Sequence, residues 1–134
     1  MKQILKIFIS TTLILVLAGC AGTRVGTYTA QKYNENPLTV AIPNELENTK
    51  AIQLAEEALR GRKWTVSSRT DSEVVGKLEH RHFDATVTIK VEGESLILYS
   101  DATYDGPQTE EATPGVPYGW LANLQRDIQS KIGK

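Results

Sequence analysis

The clearest structural signal in the sequence lies in residues 85–99, which read ATVTIKVEGESLILY. From Ala85 to Val91, apolar residues alternate with threonines and a lysine, as in a β-strand with one covered and one solvated face. The Glu-Gly-Glu sequence at 92–94 has the composition of a tight hairpin connection. The second arm, Leu96 to Tyr99, is continuously apolar, so we expect it to be central or covered on both faces. The whole stretch predicts an antiparallel hairpin.

Further strands are predicted on the N-terminal side of this hairpin. Residues 74–81 alternate in the same way, and a polar turn at 69–72 separates them from another alternating segment that starts at Trp64. Residues 38–42 also alternate between two prolines, which is typical of a short edge strand. These segments follow one another closely, so the sheet is expected to be antiparallel.

Two segments have apolar residues at the spacing of an amphipathic helix. The first is capped by Asn48 or Thr49 and ends at Gly61, and the second runs from 117 to 132. The segment between the strands and the second helix, residues 101–117, is polar and proline-bearing, so we expect a long loop. The predicted fold is a two-layer α+β sandwich, ordered helix, three to four antiparallel strands, helix, with both helices on one face.

The first twenty residues have the pattern of an export signal. A basic start precedes an apolar stretch at 7–17, whose helical length of about 16 Å is too short for a hydrocarbon core of about 30 Å. Residues 17–20 read Leu-Ala-Gly-Cys, which resembles the lipobox of bacterial lipoproteins. That resemblance implies cleavage after residue 19 and acyl chains on Cys20. The alternative is a buried core cysteine behind an ordinary signal peptide.

The predicted organisation has three parts. Residues 1–19 are a removed signal peptide, residues 20–36 are the lipidated cysteine and a flexible tether, and residues 37–134 are one domain. By resemblance to lipoprotein sorting rules, the absence of Asp at position 21 implies the outer membrane, facing the periplasm, in a Gram-negative cell. A net charge of -1 gives no reason to expect nucleic acid as a partner.

Two histidines, His80 and His82, are the most suggestive candidates for chemistry. Residues two apart on a strand point to one face, so the pair could hold a metal ion if a third ligand came from elsewhere. A strand end at the surface explains the pair without a metal. A hydrolytic site built from His82, Asp84 and a serine is also conceivable, and Asp101 could serve in a carboxylate pair, but neither Ser95 nor Ser100 lies in a nucleophile-elbow sequence. We therefore predict no cofactor and no catalytic residues.

The chain also resembles a group of small bacterial lipoproteins over roughly residues 51–132. The resemblance is carried by residues 51–64, by residues 75–89 with Arg81, and by the closing helix sequence at 120–128, which reads WLANLQRDI. Phe83 stands where that group has a histidine. The resemblance implies a lipid-anchored small α+β domain, and it carries no activity over to this chain.

The closing helix supplies the remaining candidate residues, Trp120, Asn123 and Asp127. Trp120 is expected to seal the helix onto the sheet, and the two polar residues lie four apart on one flank. Either Asn123 and Asp127 hydrogen-bond the sheet end at Arg81 as a structural clamp, or these residues form a partner-binding surface with the 101–117 loop.

The sequence as a whole favours a non-enzymatic interaction or assembly module. It would be held at the membrane by acyl chains on Cys20 and would bind an envelope protein through the open sheet face or the proline-bearing loop. The alternatives are a ligand- or metal-binding envelope sensor that uses His80 and His82, and a lipid-anchored hydrolase.

Overall fold

The computed structural model describes residues 30–107 and 111–134. The predicted signal peptide, Cys20 and the tether as far as residue 29 lie outside the described residues. Within the described residues, the chain forms three helices and six strands. In chain order these are α1 (Ala30–Glu35), β1 (Leu38–Ala41), α2 (Asn48–Gly61), β2 (Thr65–Arg69), β3 (Glu73–His80), β4 (Phe83–Glu92), β5 (Ser95–Tyr104), β6 (Thr113–Pro114) and α3 (Tyr118–Ile132).

The sheet is antiparallel, in the order β1-β5-β4-β3-β2, with β6 added to β5. The predicted hairpin at 85–99 is confirmed as β4 and β5, which pair from Phe83 opposite Tyr104 to Glu92 opposite Ser95. Gly93 in the connection has φ of 62°, a left-handed conformation that glycine adopts without steric cost. The predicted two-layer α+β sandwich is confirmed, although the sheet has six strands rather than three or four.

The core lies between one face of the sheet and helices α2 and α3. Helix α2 packs over β2, β3 and β4, while α3 packs over β1 and against α2. Gly76 on β3 permits this close approach, because a Cβ atom there would lie 2.9 Å from a Cδ atom of Leu59. Both layers contribute large, fully buried aliphatic side chains: Ile52, Leu59, Ile89, Leu96, Leu98, Leu121, Leu124 and Ile128.

Strand β5 is central, as predicted, since β1 and β4 flank it, but it differs from its prediction in two other respects. It continues to Tyr104, so residues 101–104 are strand rather than loop, and residues 113–114 of the same predicted loop pair with it as β6. Its burial also alternates: Leu96 and Leu98 are fully buried, whereas Ile97 and Tyr99 are only partly buried. The strand is therefore covered by helices on one face only, and the continuous apolar run reflects two larger side chains on the open face.

Helix α1 corrects the predicted boundary between tether and domain. The ring of Tyr33 is only 1% exposed, and its hydroxyl donates a hydrogen bond to the Leu98 carbonyl at 2.8 Å and accepts one from the Leu38 N–H at 3.1 Å. The Asn34 amide pairs with both the N–H and the C=O of Ser100, at 3.0 and 2.9 Å. Residues 30–36 therefore belong to the folded domain. Tyr33 and Asn34 supply hydrogen-bond partners for the β5 backbone between the positions that pair with β1 and with β6.

The two long helices lie close to their predicted bounds, but the predicted N-terminal cap of α2 is wrong. Helix α2 ends at Gly61 as predicted, but neither Asn48 nor Thr49 caps it, because the cap position is Glu47 and its side chain makes no capping hydrogen bond. Helix α3 covers 118–132 of the predicted 117–132. No helix among the described residues is long and apolar enough to cross a membrane.

Candidate functional site

Aromatic side chains gather at the end of the sheet where β3 turns into β4. Trp120, from the first turn of α3, is at the centre: its ring lies 6.2 Å from Trp64 at an angle of 89°, 6.0 Å from His80 and 5.5 Å from Phe83, centroid to centroid. Phe83 in turn lies 5.0 Å from Tyr104. Edge-to-face pairs of this kind add to the energy of burial, so the rings fix α3 on the sheet at this end.

A cleft of about 190 Å³ opens beside these rings. We call it the aromatic cleft, and six side chains line it: Arg62, Trp64, Leu78, His80, Trp120 and Asn123. They come from the α2–β2 connection, from β3 and from α3, so the sandwich itself positions them. Pockets that enclose a drug-sized molecule usually hold about 300–1,000 Å³. The aromatic cleft is smaller than that range, which suits one or two groups projecting from a larger ligand.

The two tryptophans that line the aromatic cleft have unpaired indole N–H groups within the described residues. Neither Nε1–H makes a hydrogen bond within the described residues, although a buried tryptophan usually finds a partner. Trp64 is only 4% exposed, yet among the described residues no side-chain N or O atom is both buried and unpaired. The Trp64 N–H therefore lies within the small part of the side chain that reaches solvent.

The side-chain acceptors of the aromatic cleft are already engaged by arginines. The Oδ1 atom of Asn123 accepts a hydrogen bond from Arg126, which leaves the Asn123 Nδ2–H₂ group as a donor. The Nε2 atom of His80 accepts one from Nε of Arg81 at 3.2 Å.

Arg62 is held at the aromatic cleft by Asp127. Its Nε and Nη2 atoms donate to the two carboxylate oxygens at 2.7 and 3.2 Å, the two-point geometry that suits a guanidinium and a carboxylate. The hydrogen bonds from Arg62 lower the pKa of Asp127, with burial acting in the opposite direction. The Nη1 group of Arg62 makes no hydrogen bond to the described residues. The positive charge of the guanidinium is balanced by the Asp127 carboxylate.

The residues predicted as an interaction or clamp site are only partly brought together. Trp120 and Asn123 line the aromatic cleft directly, and Asp127 acts there through Arg62. The predicted hydrogen bonds from Asn123 and Asp127 to Arg81 are wrong, since Asp127 bonds Arg62, and Asn123 bonds Arg126. The polar clamp therefore joins α3 to the α2–β2 connection through Arg62 and Asp127.

Sequence reasoning missed Arg62, Trp64 and Leu78 as members of this site. Trp64 lies 56 positions before Trp120, and no local period connects them. A basic residue directly after a helix is usually explained by the helix dipole, so Arg62 carries no separate signal in the sequence. The useful signal was the chain's two tryptophans, each of which borders a predicted helix.

The geometry predicted for the two histidines is wrong. His80 ends β3, but His82 lies in the two-residue turn to β4, where Arg81 and His82 have φ of 50° and 72°. The His80 ring contacts Trp120 and the His82 ring contacts Tyr104, so they do not share a strand face. No group of three or more potential metal ligands (His, Cys, Asp or Glu) occurs within the described residues.

Of the two serines considered for a hydrolytic site, Ser95 lies far from His82 and Ser100 is buried. Ser95 pairs with Glu92 at the start of β5, ten strand positions from His82, which corresponds to about 30 Å. Ser100 is 4% exposed and lies on the helix-covered face, whereas Asp101 follows it on the open face. The sheet therefore does not assemble these residues with His82.

No protein-family model, curated protein or solved structure matches the chain. The likeness to small bacterial lipoproteins therefore stays a prediction from the sequence motifs.

Proposed function

We propose that this protein is a lipid-anchored envelope lipoprotein that faces the periplasm and serves as a non-enzymatic interaction module. The aromatic cleft is its binding site for an envelope protein partner. The observation that carries the proposal is that two tryptophans, whose indole N–H groups make no hydrogen bond within the described residues, line one cleft beside Arg62. The lipobox-like sequence ending at Cys20 supports the anchor.

The chemistry of the lining favours binding over catalysis. Among the described residues, the six lining side chains include no carboxylate, hydroxyl or thiol. The Nε2 atom of His80 accepts a hydrogen bond from Arg81, and no hydroxyl group lies beside it in the lining. Aromatic and arginine side chains in a cleft are the groups that dominate protein–protein binding energy.

The proposed role has a position-specific test in cells. A photo-crosslinking amino acid is placed at Asn123, in the aromatic cleft, or at the exposed Gln129 on the same helix as a matched control. Both variants keep the complete N-terminus, including Cys20. We expect the Asn123 variant to capture one reproducible envelope protein that the Gln129 variant does not capture. Identical captures from both positions would contradict a role for the aromatic cleft.

A further inference from the structure

We propose that the aromatic cleft binds an acidic segment of its partner protein, with a carboxylate of that segment lying among three arginines of the cleft. This inference rests on the proposed function and adds the chemistry of the partner. Its basis is charge complementarity, because positive charge gathers at this cleft although the chain as a whole has one more acidic than basic residue.

Three of the five arginines in the described part of the chain meet at the aromatic cleft. Arg62 is itself one of the lining residues. Arg81 donates through Nε to the lining residue His80 at 3.2 Å, and Arg126 donates to the lining residue Asn123. All three arginines are exposed, and these contacts keep their guanidinium groups within a few ångströms of the lining.

A single carboxylate is paired with these three guanidinium groups. Within the described residues, Asp127 pairs with Arg62 at 2.7 Å, and neither Arg81 nor Arg126 forms an ion pair. The opposite arrangement occurs on α2, where Glu56 receives two arginines from outside the cleft. The aromatic cleft therefore has three positive charges against one negative charge.

The carboxylates nearest in sequence to His80 do not remove this excess. Glu79 and Asp84 pair across β3 and β4, and they line a neighbouring surface pocket together with Lys63 and Lys77. Two carboxylates and two ammonium groups leave that pocket without net charge. The positive excess thus belongs to the aromatic cleft, where a ligand has to supply the missing negative charge.

Backbone conformation gives a second indication at the same cleft. The non-glycine residues with positive φ in the described part of the chain are all basic: Lys63, which precedes the lining residue Trp64, and Arg81 and His82, which follow the lining residue His80. Asparagine or glycine adopts this conformation at less cost. Strained residues concentrate at functional sites, so the cost at these three positions points to a use for their side chains.

An acidic peptide segment fits this combination of charge and shape. A guanidinium and a carboxylate form strong, two-point hydrogen bonds, and partial removal of water in a cleft strengthens their attraction. The half-buried side chains of Leu78 and Trp120 offer apolar surface to a residue beside the carboxylate. A concave lining of about 190 Å³ suits side chains that project from a peptide better than it suits a planar bilayer surface.

Tryptophan fluorescence provides the test, because both tryptophans of the chain line the aromatic cleft. The full chain, held in micelles of a non-ionic detergent, is titrated with a capped pentapeptide in which one leucine lies between two pairs of glutamates. We expect a saturable change with a Kd below about 1 mM, and weaker binding as salt is added, because ions screen the charges. The same peptide with glutamine in place of glutamate should produce no saturable change.

Three variants locate the binding. Arg81→Gln and Arg126→Gln each remove one exposed charge, and we expect each to weaken binding of the glutamate peptide about 5-fold. Arg60→Gln is the matched control, because Arg60 is also exposed but pairs with Glu56 within α2, and this variant should bind as the wild type does. Circular dichroism reports whether each variant is folded.

Four outcomes would overturn the inference: no binding of the glutamate peptide, equal binding of the glutamine peptide, equal affinities in the three arginine variants, or saturable binding only of glycerol 3-phosphate, which stands for a phospholipid headgroup. If cross-linking from Asn123 still captured a partner under any of these outcomes, the interaction-module role would survive and only the acidic chemistry would fail. If the glutamate peptide bound but no partner were captured, the proposed role would fail and the charge preference of the cleft would stand.

Discussion

Replacing Tyr33 by phenylalanine should destabilise the domain, although the sequence placed this residue in a flexible tether. Its hydroxyl lies between two backbone groups, accepting from the Leu38 N–H at 3.1 Å and donating to the Leu98 carbonyl at 2.8 Å. The ring is 1% exposed, so water cannot easily replace the hydroxyl. Tyr33→Phe keeps the ring and removes the hydroxyl that makes these hydrogen bonds.

The size of the effect follows from the groups left unpaired. A buried donor or acceptor that loses its partner costs about 1–3 kcal/mol, and part of that cost is recovered if β1 and β5 move closer together. We therefore expect a loss of about 2 kcal/mol in the free energy of unfolding. For a domain of this size, that corresponds to a decrease of about 10 °C in Tm.

Urea unfolding followed by circular dichroism measures this loss. Tyr99→Phe is the matched control, because its hydroxyl donates to the exposed Glu92 at 2.7 Å and should contribute under about 0.5 kcal/mol. If Tyr33→Phe were as stable as Tyr99→Phe, residues 30–36 would not belong to the cooperative domain, and the account of the β5 edge would be wrong.

Three further predictions concern packing, pH and turn conformation. Gly76→Ala places its Cβ atom against the side chain of Leu59, so it should lower the free energy of unfolding, measured in urea, by about 1–3 kcal/mol. The loss should be smaller in a Leu59→Val background, and an equal loss in both backgrounds would contradict this contact. The lowered pKa of Asp127 contributes stability that is present above the ordinary aspartate pKa of about 4 and is lost as the pH falls through the lowered value. The difference in unfolding free energy between the wild type and Asp127→Asn should therefore vanish in acid. A difference that persisted in acid would show that the charge of Asp127 is not its source. Replacing Arg81 by Asn and His82 by Gly should raise the free energy of unfolding by about 1 kcal/mol, because both residues have positive φ, and a decrease would refute this strain.

The sequence predicted the parts of the fold that depend on local periodicity. The alternation at 85–91 and the helical spacing in α2 and α3 identified the sandwich, because one buried face imposes that period directly. Helix α1 was missed because its six residues are too few to establish an amphipathic repeat. Its place is determined by hydrogen bonds from Tyr33 and Asn34 to residues more than 60 positions away.

The candidate site could be predicted only in part, for a similar reason. The sequence of α3 identified Trp120 and Asn123. The aromatic cleft also requires Arg62 and Trp64, which follow the C-terminal end of α2 and reach α3 only in the folded chain. The β3–β4 turn is a second example. His80 and His82 have strand spacing in the sequence, and only the left-handed backbone of residues 81 and 82 separates their directions.

The most direct test of the central claim is the intact mass of the protein extracted from membranes. The proposed role requires the domain to be anchored through Cys20, with residues 1–19 removed. We predict a chain that begins at Cys20 and carries the added mass of two or three acyl chains, and a Cys20→Ala variant without that mass. A wild-type chain that carried no acyl mass would contradict the anchored module.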